Sequence, residues 1–208
     1  MYYEYSEKVG ETYKSSATEI GITGFCDSSN NFRLNLGSIA KPNRNPLIRY
    51  VRENIREGVR FYNRNGDVFI DCLSNSPIFI QAPLCSHVMG HHLATVYRVE
   101  PGHSMQIFSA RKFDYLIFEA QKRGPDAIAA LQQICCCRLS FLKGWGENYQ
   151  IQTVLEVPVW IEVLFIGALH ELDLLIMQAK NSRHQHLLLQ AAQQDIDDLS
   201  SCPSMSIS

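Results

Sequence analysis

Cys85, His87, His91 and His92 crowd into eight residues of this chain, and sulfur beside imidazole is metal-ligand chemistry. A structural zinc site needs paired ligands that converge on one ion, as in Cys-x2-Cys units. One cysteine without a second pair reads better as a polar surface loop. Cys135-Cys136-Cys137 is a second thiol cluster. Adjacent strand residues point to opposite faces, so these three cannot share an ion on a strand; they read as small buried thiols. Lys143-Gly-Trp-Gly carries a cation and two glycines, without the spacing of a phosphate-cradling Gly-x4-Gly-Lys. A protein-binding or anion-binding loop is the better reading there. Gly-x-Ser-x-Gly and His-Glu-x-x-His are also missing. With no stretch that gathers reacting groups, no catalytic residue, metal or cofactor is expected, and the chain reads as a binding protein and not an enzyme.

Charge offers two further candidates. Arg49, Arg52 and Arg56 recur at three- and four-residue spacing and so share one helical face. That face is either solvated or a docking surface for an anionic partner such as a phosphorylated loop. At the other end, Ser204, Ser206 and Ser208 alternate with Met205 and Ile207. They form either a plain tail or a phosphorylatable one, in which two phosphoserines would add about 3 to 4 negative charges.

These groups sit on a chain of 208 residues, 46% hydrophobic and 19% charged, with formal charge −2. The composition is globular, and the balance argues against a protein that grips the nucleic-acid backbone. The N-terminus has no basic start leading into an apolar core, so no secretory signal is expected. The longest apolar run, around Val157 to Leu169, is interrupted by Glu162, so no membrane insertion is expected. Seven cysteines in a reducing compartment are expected to be thiols.

Short alternating runs from Glu19 to Leu36 predict strands. Pro46 opens a helix whose apolar face is Leu47, Val51 and Ile55, and Gly58 ends it. Val59–Tyr62 and Val68–Cys72 flank Asn65-Gly66, a strong hairpin signal. Ile78–Gln81, Thr95–Val99, Met105–Phe108, Cys136–Leu142 and Val159–Leu164 read as further strands. Helices are expected through Phe113 to Ala120, from Pro125 to Ile134, and through Ala168 to Ala179, the last continuing with a break through Leu187 to Ile196. The class is mainly β with flanking helices, arranged as an antiparallel sandwich.

Taken together, Val9-Gly-Glu-Thr-Tyr, Gly58-Val-Arg-Phe-Tyr, Asp67-Val-Phe-Ile-Asp-Cys-Leu-Ser, Ile78-Phe-Ile-Gln, Ala94-Thr-Val-Tyr, Arg138-Leu-Ser-Phe-Leu-Lys-Gly-Trp-Gly-Glu-Asn-Tyr and Pro158-Val-Trp-Ile-Glu resemble the C-terminal Mad-homology domain of the Smad signal transducers. The stretches keep the family's order over about residues 2–178. The resemblance implies a sandwich with a three-helix bundle at one end and loops plus a helix at the other. It divides the chain into a Mad-homology 2-like domain (1–179), an extended helical or flexible segment (180–199) and a phosphorylatable tail (200–208). It implies an intracellular transducer of TGF-β-type signals, moving between cytoplasm and nucleus. Its partners would be a type I receptor serine/threonine kinase, other Smads including the co-mediator, and transcription factors with their co-regulators. No direct DNA binding is expected, because the DNA-binding Mad-homology domain is not in this sequence.

Residue by residue, the resemblance assigns phosphorylation to Ser206 and Ser208. It assigns phosphoserine binding and trimer contact to Arg138, Ser140, Lys143, Tyr149 and Asn75. Receptor choice falls to Gln150 and Thr153, of which Thr153 matches the activin/TGF-β branch. Ile151 replaces an arginine usual in the family and Asn75 an aspartate, changes expected to weaken self-trimerisation and favour a hetero-trimer. An inhibitory or scaffold Smad-like protein and a forkhead-associated-type phosphopeptide module are the alternatives.

Overall fold

The computed structural model describes residues 1–25 and 33–200. In chain order the strands and helices are β1 Tyr2–Glu4, β2 Glu7–Lys8, β3 Glu19–Thr23, β4 Arg33–Asn35, α1 Pro46–Ile55, β5 Val59–Arg64, β6 Asp67–Cys72, β7 Ile78–Gln81, α2 Pro83–Val88, β8 Val96–Val99, β9 Ser104–Phe108, α3 Ala110–Gln121, α4 Pro125–Ala130, β10 Cys136–Phe141, β11 Trp160–Leu164 and α5 Ile166–Ser200. Two sheets form the sandwich, one ordered β2-β1-β11-β10-β7-β8 and the other β4-β3-β5-β6-β9. All pairings are antiparallel except β3 with β4, which run parallel, so the second sheet is mixed.

Inward-facing alternate residues fill the space between the sheets. Ile22, Val59, Phe61, Ile70, Ile80, Leu139 and Ile161 all belong to this buried cluster, each contributing about 1.5 to 3 kcal/mol on burial. The β5–β6 hairpin closes on Asn65 (φ 55) and Gly66 (φ 90), the left-handed pair that suits strand twist. Asn63 Oδ1 accepts the Gly66 N–H at 2.9 Å. Gly58 (φ +63) is required at the entry to β5, because a Cβ there would lie 2.0 Å from the Ile22 carbonyl oxygen.

α1 begins as expected, with Pro46 in its first turn and Asn45 Oδ1 accepting the Leu47 N–H at 2.8 Å. Its buried face differs from the expected one: Ile48, Val51, Arg52 and Ile55 point inward, and Leu47 is exposed. α2 is a further element absent from the sequence reading; it holds Cys85 and His87, with Pro83 in its first turn. α3, α4 and α5 pack as a bundle over Phe113, Ile117, Ala120, Ile128 and Leu172. α5 then continues unbroken to Ser200, across the break expected near residue 180. Among the described residues no helix is long and apolar enough to cross a membrane.

Candidate functional site

β10 and β11 are neighbours, with Ser140 opposite Trp160, so the loop between them leaves and re-enters at one end of the sheet. Its first turn is tight. Leu142 takes φ 63, the Lys143 N–H bonds back to the Phe141 carbonyl at 2.7 Å, and Ser140 Oγ donates to the Lys143 carbonyl at 2.5 Å. Ser140 is fully buried; it braces the loop from beneath and does not present its hydroxyl to a ligand.

Buried side chains hold the rest of the loop down. Trp145, Val154, Val157 and Trp160 form one cluster with Phe79. The Trp160 indole N–H donates to the Tyr5 carbonyl at 2.7 Å, and its ring stacks on Tyr3 at 4.1 Å between centroids. Tyr149 meets Phe79 edge-on at 5.3 Å and lies over Gly144, where a Cβ would sit 2.6 Å from the Tyr149 ring. Backbone bonds from Gly146 N to Ile151 O (2.8 Å) and from Tyr149 N to Gly146 O (2.9 Å) close the tip. Thr153 starts a short 3-10 turn with a reciprocal cap. Its N–H and its hydroxyl both donate to Glu156 Oε2 at 3.0 Å, and those bonds hold the Glu156 carboxyl below its usual range.

This scaffold sets the side chains around a cleft of about 590 Å3, lined among others by Gln81, His92, Arg138, Tyr149, Gln152 and Thr153. Arg138, on β10, is directly opposite Gln81 on one side and Glu162 on the other. It donates to Glu162 Oε1 at 3.2 Å and to Gln81 Oε1 at 3.5 Å, so part of its charge is matched within the sheet. Lys143 is exposed, and its ammonium has no hydrogen-bond or ion-pair partner among the described residues. Gln150 is exposed at the tip of the loop. Asn75 is exposed in the β6–β7 connection. Because Ile78 pairs with Phe141, that connection enters β7 at the end from which the loop departs.

The three arginines expected to share one face of α1 do not lie together on an exposed face. Arg52 is buried because its guanidinium serves the fold: it donates to the Leu36 carbonyl, to Ile39 O at 3.2 Å, and lies 3.8 Å from Glu4. Arg49 is exposed and donates to the Arg44 carbonyl at 3.0 Å, while Arg56 has left the helix with φ 52. Ser206 and Ser208 lie outside the described residues.

The thiols and imidazoles do not assemble either. Among the described residues no group of three His, Cys, Asp or Glu could hold a metal ion. His87, His91 and His92 are exposed. Cys135 and Cys137 are buried, and burial pushes the Cys135 thiol up to about 12. Gln81 and Glu162 were not singled out as site residues in the sequence, and His92 was singled out only as a metal-ligand candidate. A signal existed for two of them: Gln81 and Glu162 are polar residues within otherwise apolar strands.

The family model of the MH2 domain matches residues 1–166. The chain belongs to the MH2 domain family. MH2 domains mediate protein–protein interactions in Smad-type signalling, and the loop between β10 and β11 carries the most specific stretch of that resemblance. Among solved structures the chain is similar to the crystal structure of the interferon regulatory factor 9 IAD domain, with TM-score 0.55 and 14% identity over 87% of this chain and 88% of that one. It is also similar to a chain in the crystal structure of STAT2 in complex with IRF9, with TM-score 0.51 and 14% identity over 82% of this chain and 92% of that one. At such identity the likeness is one of fold, the SMAD/FHA-like sandwich with flanking helices. The family match stops where α5 begins, so the helix beyond it has no counterpart in that match.

Proposed function

We propose that this MH2 domain transduces signals from type I receptor serine/threonine kinases of the TGF-β type. Phosphorylation of Ser206 and Ser208 on one copy creates an anionic tail that the β10–β11 loop of a neighbouring subunit receives. The observation that carries this reading is the unmatched ammonium of Lys143, exposed on a loop that buried tryptophans pin in place. A phosphate meeting Lys143, or reaching Arg138 and Tyr149 in the cleft, gains charge-assisted bonds of about 1.5 to 3 kcal/mol each. Three or four such bonds outweigh, at mid-range values, the entropy of ordering a few tail residues, about 1 to 2 kcal/mol each. The unphosphorylated tail lacks that gain and stays free.

Arg138 is already partly matched by Glu162, and Ile151 supplies no cation. The pocket of this chain is therefore the weaker half of the exchange, and a hetero-trimer with a co-mediator is the favoured assembly. Gln150 and Thr153, exposed on the same loop, select the receptor, and Thr153 matches the activin/TGF-β branch. The domain binds and does not catalyse; it works in cytoplasm and nucleus and acts on genes through transcription factors and co-regulators.

The test is mass spectrometry of the C-terminal peptide after incubation with an active receptor kinase, followed by sedimentation of the modified chain with the co-mediator. Phosphate on Ser206 and Ser208 and a larger complex are expected. Lys143→Ala is expected to weaken that complex about tenfold, or ~1.4 kcal/mol. Equal assembly by the Ser206→Ala/Ser208→Ala variant would overturn the reading and leave the inhibitory or scaffold alternative.

A further inference from the structure

α3 leaves two large aromatic side chains in solvent. Tyr115 is 61% and Phe118 57% exposed, whereas Phe113, Ile117 and Ala120 are buried in the bundle. Arg111, Tyr115, Phe118 and Lys122 follow one another at spacings of four, three and four residues, so they lie in one stripe along the helix. Lys122 Nζ sits 4.1 Å from the centre of the Phe118 ring and 2.6 Å from Glu119 Oε1, which holds the cation beside the ring. Arg111 is exposed and has no hydrogen-bond or ion-pair partner among the described residues. Aromatic anchors accompanied by arginine are the composition of an interface hot spot.

A second uncovered surface lies on α5. Its packing into the bundle reaches Ala179; farther on, Leu188 is 58% and Leu189 71% exposed. From Ala179 to Ser200 the helix rises about 30 Å. In the sequence, Leu189, Ala192, Ile196 and Leu199 recur at three- and four-residue spacing, the pattern of an amphipathic helix. Asp195, Asp197 and Asp198 are the only formally charged side chains from residue 184 to 200. The α3 stripe thus begins and ends on a cation, and the sequence of distal α5 sets an apolar repeat among acids. A continuous helix cannot turn back to deliver the second stripe onto the first.

We propose that the acidic end of α5 in one copy docks on the Arg111–Lys122 stripe of α3 in a second copy. Tyr115 and Phe118 meet the leucine and isoleucine positions, and the aspartates meet Arg111 and Lys122. The contact joins two different surfaces, so it is heterologous and propagates from copy to copy unless a ring closes. It needs no phosphate and is separate from the assembly through Ser206 and Ser208.

Sedimentation velocity of the unphosphorylated full chain carrying Ser206→Ala and Ser208→Ala tests it. Concentration-dependent association is expected, weaker at about 0.5 M than at about 0.05 M salt because of screening. Tyr115→Ser/Phe118→Ser and Asp195→Asn/Asp197→Asn/Asp198→Asn are each expected to weaken it about tenfold or more, with thermal unfolding unchanged to show that the fold is intact. Mixing these two defective proteins is decisive, since each retains the surface the other lacks. They should form a one-to-one dimer and grow no further. A parent chain that stays monomeric, association that neither variant alters, or a mixture that stays monomeric would each overturn the proposal.

Discussion

Glu4 is a carboxylate with almost no solvent contact, 2% exposed, yet it is charged. Burial pushes its pKa up, but hydrogen bonds from Tyr2 and Arg44 and the charge of Arg44 outweigh this and leave it below its ordinary value. Tyr2 donates to it at 2.7 Å, Arg44 at 2.6 Å, and Lys41 lies at 3.3 Å. The cluster ties β1 to the loop before α1. Removing one member strands the others, so Glu4→Ala is expected to cost about 3 to 5 kcal/mol in urea unfolding. Asp71 is likewise held down: burial raises it, but hydrogen bonds from Ser104 and Arg60 lower it further. Both folded pKa values lie below the unfolded ones, so their contribution is complete above about pH 5 and is lost as pH falls through the folded values. Urea midpoints should drop on acidification below about pH 5, and Glu4→Gln should flatten that dependence. Arg52 shows why such residues hide from a sequence reading. It is four residues from Ile48 and three from Ile55 on the buried face of α1, and its charge argues for the opposite side. The expectation of small buried thiols holds for Cys135 and Cys137, whereas Cys136, at the start of β10, is only partly buried. The two buried thiols should resist a disulfide reagent at neutral pH in the native protein and react on unfolding.

At the level of elements, most strands were legible because inward and outward residues alternate, and Asn65-Gly66 marked its hairpin. Other features were not, among them β1 and β2, for which no strand was expected. α2 is only six residues long, too short for a helical period to emerge from the polar run around it. The parallel pairing of β3 with β4 follows from tertiary packing and leaves no local signature. Of the candidate site, the sequence showed the loop through its glycines and tryptophan. It could not show that Ser140 faces inward or that Arg138 is matched across two strands, since both depend on register. The loop is also where a small change should be informative. In Gly144→Ala the added methyl would lie 2.6 Å from the Tyr149 ring and 2.8 Å from Phe79. The overpacking is expected to cost about 1 to 3 kcal/mol, measured by thermal unfolding. It should displace Tyr149 and so reduce binding of a phosphorylated C-terminal peptide while the circular dichroism of the fold persists.

For the whole molecule, the sandwich and bundle are complete without the distal part of α5. Among the described residues, those of that helix packed in the bundle lie before residue 180, so truncation after Lys180 is expected to leave stability within about 0.5 kcal/mol by urea unfolding, while abolishing self-association through α3. The chain's two tryptophans, Trp145 and Trp160, are both buried beneath the β10–β11 loop. Indole emission from this protein therefore arises wholly from the foundation of its candidate binding surface. A titration needs no attached dye: a partner that shifts the loop alters the colour and intensity of native fluorescence, whereas one that engages only the distant helices leaves the spectrum as it was.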